Sequence, residues 1–407
     1  MKKIFILSLF LGVVCLLNGQ NTTKTMLKLP DTGQTSDYTP TFGEDSDYNI
    51  NAPFFIKNNN GTITDTITGL MWQQTDGGEM SIEKARIYAD TLTLTGFTDW
   101  RLPTAHEGFS ILNMDKLNPA LDIAFFTNTG AEYWWTSDVR FDDATKIWAT
   151  NSGGGIGAHP KTETIGAGGT KKFHARAVRD VKIPQTVVHF KDNGDGTITD
   201  NVTNLIWQKT PSTDTLTWEQ ALNYAANLVF AGKSDWRLPN IKELTSINDE
   251  SHNAPSINLT FFPTLKSNRY WSSTSQKNVS VNAWFNDFQN FGITSYFAKT
   301  KGYNVICVRG GTGLTSVKDE FNSELANVQI YPNPTASDIT IHFKNMDTNA
   351  IKRLQISNEM GQVVLTEQIP STIQAYRFQT SQLKNGIYFM SIFKGNTIKT
   401  VKILVNK

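Results

Sequence analysis

An α+β architecture, built twice and followed by an all-β domain, is what this sequence predicts. Three observations carry the prediction. The pentapeptide Asp99-Trp100-Arg101-Leu102-Pro103 returns as Asp235-Trp236-Arg237-Leu238-Pro239. Around each copy the order is alternating strand, capped helical stripe, second short helix and then short aromatic strands, an order that places helices and strands in separate layers. Beyond Gly313 the pattern changes to short alternating strands divided by turns.

The repeat extends well outside the pentapeptide. Gly61-Thr62-Ile63-Thr64-Asp65 matches Gly196-Thr197-Ile198-Thr199-Asp200, and Trp72 matches Trp207. Downstream, Phe125-Phe126 answers to Phe261-Phe262, Tyr133-Trp134 to Tyr270-Trp271, Trp148 to Trp284 and Val178-Arg179 to Val308-Arg309. Trp100 to Trp148 and Trp236 to Trp284 both span 48 residues (148 − 100 and 284 − 236). Two units of roughly 120 residues, each able to bury its own core, fit this pattern better than one large domain or a stack of short repeats.

With 407 residues, 39% hydrophobic and 18% charged, the chain has the composition of a globular protein rather than a disordered or fibrous one. Its formal net charge of +1 provides no overall pull toward nucleic acid or an anionic membrane. Anion binding would need a local patch.

At the N-terminus, Lys2 and Lys3 precede an apolar run from Ile4 to Leu17 and the small polar Asn18-Gly19-Gln20. This reads as a secretory signal peptide over 1–19, too short for a membrane span. A lipid anchor on Cys15 would require small residues where Val13 and Val14 stand. Loss of Cys15 leaves Cys307 alone, so no internal disulfide is expected. Residues 20–53 are polar and aperiodic and read as an extended leader. Within them Leu29-Pro30-Asp31-Thr32-Gly33 spells a sortase motif, but without the hydrophobic segment and basic tail that such a signal needs at the C-terminus.

The first repeat is expected over 54–182 and the second over 183–313. Each opens on a turn, Asn58-Asn59-Asn60-Gly61 or Asp192-Asn193-Gly194-Asp195-Gly196, which leads into the Thr-Ile-Thr strand. Read as a calcium loop, the second turn would place Lys191 and Val202 where carboxylates are required, so it is a turn. Ser81 caps a helix with the stripe Ile82, Ala85, Tyr88, Ala89 and Leu92. Thr217 with Gln220 boxes the equivalent helix, whose stripe is Trp218, Ala221, Leu222, Ala225 and Leu228. These faces read as core. Thr104 with Glu107, and Asn240 with Glu243, cap a second helix, which gives both glutamates a structural role.

Trp72, Trp100, Arg101, Trp134, Trp148, Trp207, Trp236, Arg237, Trp271 and Trp284 form the recurring signature, expected to build two similar interiors. Arg101 and Arg237 read as internal forks holding a carboxylate or carbonyls. Trp135 is read as an aromatic available for stacking on sugars. The first copy carries an additional glycine-rich loop, Ser152 to Thr170, which reads as mobile. That loop runs into Lys171, Lys172, His174, Arg176 and Arg179, a basic cluster suited to sulfate or carboxylate groups, although alternate residues of a strand face opposite sides. Trp135, Lys171, Lys172 and Arg176 are therefore the expected ligand-binding residues.

Catalytic signals are weak. His106, His159, His174, His189, His252 and His342 show no metal-ligand spacing, no nucleophile elbow is present, and Cys307 lies among branched apolar residues. No catalytic residue, metal or cofactor is expected.

The recurring motifs, together with Gly69-Leu70-Met71-Trp72-Gln73 and Asn204-Leu205-Ile206-Trp207-Gln208, resemble the Lcl C-terminal domain family. The resemblance implies two tandem C-type-lectin-like domains in a bacterial envelope or secreted protein, with adhesion and glycosaminoglycan binding known for the family's namesake. The Glu-Pro-Asn triplet of calcium-dependent lectins is missing, so a calcium lectin is not expected. After a linker over 314–327, residues 328–407 resemble the type A C-terminal sorting domain of the type IX secretion system. The resemblance rests on Tyr331-Pro332-Asn333-Pro334, Leu383-Lys384-Asn385-Gly386-Ile387-Tyr388 and the final basic strand. It implies an immunoglobulin-like β-sandwich, with the secretion machinery as partner and a secreted or surface-attached product. The resulting expectation is an adhesin for glycan or extracellular matrix, with no nucleic-acid partner and no membrane span after signal removal. The alternative is a secreted enzyme acting on polysaccharide.

Overall fold

The computed structural model describes residues 21–162, 165–166, 169–170, 173–311, 328–332, 335–343, 352–358, 363–370, 375–394 and 397–407. The signal segment, the 314–327 linker, Lys171 and Lys172 lie outside the described residues. Two compact units result, Met1–Gly313 and Leu314–Lys407. Both are rich in strand.

In the larger unit β1 (Asn21–Lys24) comes first. The first repeat then holds β2 (Phe55–Lys57), β3 (Thr62–Asp65), β4 (Leu70–Gln73), α1 (Ile82–Thr91), α2 (Ala105–Ser110), β5 (Tyr133–Val139), β6 (Lys146–Asn151), β7 (Ile156–Pro160), β8 (Ile165–Gly166), β9 (Gly169–Thr170), β10 (Phe173–His174) and β11 (Val178–Asp180). A connecting strand, β12 (Gln185–Val188), leads to the second repeat: β13 (Phe190–Asp192), β14 (Thr197–Asp200), β15 (Leu205–Gln208), α3 (Trp218–Ala226), α4 (Ile241–Ser246), β16 (Arg269–Ser275), β17 (Asn282–Asp287), β18 (Ile293–Ala298) and β19 (Val308–Gly310).

Each repeat has two main sheets, and the first adds the two-stranded β8-β9. In the first they run β11-β4-β3-β2 and β10-β5-β6-β7, and in the second β13-β14-β15-β19 and β16-β17-β18. The helix starts follow from their caps. Ser81 Oγ accepts from Lys84 N, while Thr104 with Glu107, Thr217 with Gln220 and Asn240 with Glu243 form reciprocal boxes. These satisfy amides that the first turn would leave unpaired. Ile82, Ala85 and Ala89 of α1, and Trp218, Ala221, Leu222 and Ala225 of α3, are buried at helical spacing.

Two expectations change. The interiors are not separate: Ile241 and Trp284 of the second repeat share one apolar cluster with Trp72, Phe109, Trp134 and Trp148 of the first. Corresponding elements meet, α2 packing against α4 and β7 against β18. Nor is the segment before the first repeat an extended leader. β1 pairs antiparallel with β12, and residues 25–53 run as a strap onto the second repeat. Thr32 Oγ1 and Thr274 Oγ1 donate to the buried Asp45 Oδ2 at 2.7 and 2.6 Å. The Gln34 amide clasps the backbone of Ser275 through both its nitrogen and its oxygen, at 2.8 and 2.9 Å. Lys242 Nζ, also buried, donates to the main-chain oxygen of Asp31. The sortase-like pentapeptide thus belongs to the packed interior, with Asp31 and Thr32 buried.

The smaller unit contains β20 (Val328–Tyr331), β21 (Asp338–Phe343), β22 (Lys352–Asn358), β23 (Val363–Ile369), β24 (Ala375–Gln379), β25 (Gly386–Lys394) and β26 (Thr397–Val405). Its antiparallel sheets, β20-β21-β24 and β23-β22-β25-β26, enclose one apolar cluster that includes Ile339, Ile341, Phe343, Ile356, Met390 and Ile403. In β21 burial alternates residue by residue, as expected for a sheet with one inner face.

Candidate functional site

The tryptophans face inward. Trp72, Trp100, Trp134, Trp148, Trp207, Trp236, Trp271 and Trp284 are all buried. The hydrogen bonds correct one pairing read from the letters. Thr136 Oγ1 donates to Trp148 O and Ser272 Oγ to Trp284 O, so Thr136 and Ser272 are counterparts. One residue earlier, Trp135 Nε1 donates to Met80 O and Trp271 Nε1 to Leu216 O. Trp135 therefore corresponds to Trp271, and Trp134 to Tyr270. A slip of one residue in a strand exchanges its faces. Trp135, expected as a stacking surface, is 1% exposed and packs flat on Phe173 at 4.1 Å.

Arg176 also points inward, against the expectation of a ligand contact. It is 2% exposed and donates to Gln73 O, Gln74 O and Asp76 Oδ2. Asp76 further accepts from Thr129 Oγ1 and Trp134 Nε1 and pairs with His174 Nδ1. Burial alone would raise the Asp76 carboxyl, but His174, Arg176 and the other donors pull it down to about 2. Arg179 pairs with Asp99 at 2.7 Å. The described part of the basic cluster is thus neutralised within the fold.

Arg101 grips Glu107 through both terminal nitrogens, at 2.6 and 2.8 Å, and reaches Asp180 at 3.0 Å. Arg237 grips Glu243 in the same way. Both glutamates also accept from their cap amides, Thr104 N and Asn240 N. Burial opposes ionisation of Glu107, yet the Arg101 fork keeps its carboxyl below the usual range. Cys307 is fully buried, and burial pushes its thiol up, away from the reactive thiolate. Among the described residues, no group of three or more His, Cys, Asp or Glu side chains is placed to hold a metal ion.

An open groove remains where the two repeats meet, a cavity of about 650 Å³. Tyr133 on β5, Trp284 on β17 and Tyr296 on β18 supply rings, and Asn118, Asn151, Gln276 and Ser295 supply amides and a hydroxyl. Tyr133 is backed by Phe173, stacked at 4.7 Å, and Tyr296 stands edge-on to Trp284 at 5.1 Å with 42% of its surface exposed. The turn after β6 shapes one wall, because Asn151 Oδ1 accepts from both Gly153 N and Gly155 N. Gly154 sits at φ +98°, where a Cβ would come within 3.2 Å of Met114 Sδ and 3.5 Å of Trp284 Cζ2. The first repeat's glycine turn thus lies directly on the second repeat's tryptophan. Among the described lining residues Glu132 is the one carboxylate, which leaves the groove without the carboxylate pair that glycoside hydrolysis generally uses. No local pattern in the chain points to this groove, because its two walls come from different repeats.

Comparison with protein families agrees with the duplication. The model for the Lcl C-terminal domain matches residues 61–179 and again 196–309, and that for a secretion system C-terminal sorting domain matches 329–406. No curated protein matches the chain. The sorting domain marks a protein exported by the type IX secretion system and either released or held at the cell surface. Neither family is an enzymatic one, and no helix among the described residues is long and apolar enough to cross a membrane. With more than half of its length matched in two successive copies, the chain belongs to the Lcl C-terminal domain family.

Proposed function

We propose that the paired repeats are the glycan-binding part of a secreted or surface-held adhesin, and that the inter-repeat groove is where the sugar lies. The observation that carries this is the lining: aromatic rings beside uncharged amides and hydroxyls. Sugars present C–H faces that pack on rings and hydroxyls that exchange hydrogen bonds with amides. The C-type-lectin-like reading of the repeats and the immunoglobulin-like reading of the sorting domain belong to the same proposal. Lys171 and Lys172 are kept as the contact for anionic sugars.

A glycan array probed with the full mature chain tests it. Binding should occur and should weaken at least tenfold in Tyr296→Ala, a substitution at an exposed ring. Binding through the groove should change little with salt, whereas binding through the lysines should fall as salt rises. Failure to bind any glycan, or turnover of a polysaccharide panel, would overturn the reading.

A further inference from the structure

A second cavity, of about 570 Å³, lies between the repeats and is bordered by His106, Asp138, His189, Ile247 and Glu250. Its meaning comes from the duplication. Thr104 and Asn240 are matching caps, so His106 on α2 corresponds to Lys242 on α4. Asp138 Oδ2 accepts from Ala105 N as Thr274 Oγ1 accepts from Ile241 N, so Asp138 corresponds to Thr274. Asn113 N donates to Ala120 O as Asp249 N donates to Ser256 O, which makes Glu250 the counterpart of Met114.

Lys242, Thr274 and Met114 are the residues that seat the strap. Lys242 Nζ donates to Asp31 O, Met114 N to Thr32 O and Thr274 Oγ1 to Asp45 Oδ2. The cavity therefore repeats the strap's seat on the other side of the repeat pair, where the chain's own N-terminal segment forms one wall through Asn21, Thr22, Thr23, Thr25, Met26 and Leu29 and leaves open space beside Asp138. One difference sets its chemistry. Where the strap's seat offers the hydroxyl donor Thr274 to an acidic side chain, the cavity offers the carboxylate acceptor Asp138. Asp138 accepts from Ala105 N and Ser137 Oγ, and among the described residues no cation lies within ion-pair distance of it. His106 Nε2 is instead directed at Glu250, at 2.8 Å.

We propose that this cavity binds an extended peptide segment of a partner protein, which lies as the strap lies in its own seat and turns a lysine or arginine side chain toward Asp138. A partner's main-chain carbonyl then meets His106, as Asp31 O meets Lys242. A cavity of this size is within the range that holds ligands of a few hundred daltons. The seat does not depend on the glycan groove, which has a different lining.

The test titrates the full mature chain with an N-acetylated, C-amidated pentapeptide, lysine flanked by two threonines on each side. The controls are its glutamate analogue and cadaverine. The lysine peptide should bind, the glutamate peptide and cadaverine should bind at least tenfold more weakly, and Asp138→Asn should weaken the lysine peptide about tenfold. Tyr296→Ala should leave this binding unchanged, which separates the result from the glycan reading. A version of the peptide bearing a photoreactive group should label the cavity's border in the unmutated protein, so the test holds even if Asp138→Asn folds poorly. Equal binding of the lysine and glutamate peptides, cadaverine binding as well as the peptide, no binding up to millimolar concentration, or labelling elsewhere would each overturn the proposal.

Discussion

Lys242 Nζ donates to Asp31 O at 2.8 Å and to Ser110 O at 2.7 Å, so one buried ammonium on the second repeat holds both the strap and the end of α2 in the first. Burial lowers its pKa to about 8 despite the carboxyls of Asp31, Asp65 and Asp45 nearby. Lys242→Met would leave two buried carbonyl oxygens without this donor. The expected loss is roughly 2–4 kcal/mol, from two unsatisfied acceptors partly offset by the removed cost of burying a charge. Chemical denaturation of the larger unit measures it, and an unchanged midpoint would show that the ammonium does not fasten the strap.

The pair His106 to Glu250 spans the two repeats. Burial disfavours the imidazolium, but Glu250, with smaller contributions from Asp138 and Asp200, outweighs it and raises His106 to about 9. A raised histidine stabilises the fold fully below its unfolded pKa, roughly 6.5, and this is lost as pH climbs through the folded value. Relative to His106→Gln, the parent should be more stable by roughly 1–3 kcal/mol at pH 6, with the gap closing by pH 10. Melting temperatures of both proteins across that range decide it, and a gap independent of pH would mean that the pair contributes no charge-dependent stability.

Asn286 is fully buried on β17, and among the described residues neither atom of its side-chain amide has a hydrogen-bond partner. Its register counterpart is Thr150, since Asn286 pairs with Tyr270 as Thr150 pairs with Trp134. Asn286→Thr exchanges an amide for a single hydroxyl of similar volume and a better strand former. Stability should rise by about 1 kcal/mol, readable as a higher melting temperature. A fall would mean that the amide makes interactions the fold requires.

What the sequence revealed was local. The caps at Ser81, Thr104, Thr217 and Asn240 form where their residue types and spacings place them. The Thr-Ile-Thr strands and the apolar stripes of α1 and α3 were equally legible, because neighbours in the chain decide them. The strap was not. Its acidic and hydroxylic residues read as solvated, whereas partners more than two hundred positions away, Lys242, Thr274 and Ser275, help bury them. Arg176 was misread for a similar reason, since Asp76 stands far upstream. With Trp135 the letters themselves misled. Tyr-Trp occurs in both repeats, but the backbone register aligns Trp134 with Tyr270, as the hydroxyls of Thr136 and Ser272 and the strand pairing show.

The meeting of α2 with α4 and of β7 with β18 limits how such a chain can grow. Like surfaces join like, an isologous contact inside a single polypeptide, and each partner spends its joining face on the other. Head-to-tail arrays lengthen indefinitely because each added copy exposes a fresh end. Here the association closes at two, so further gene duplication would yield additional self-contained pairs strung along the chain rather than one longer rod.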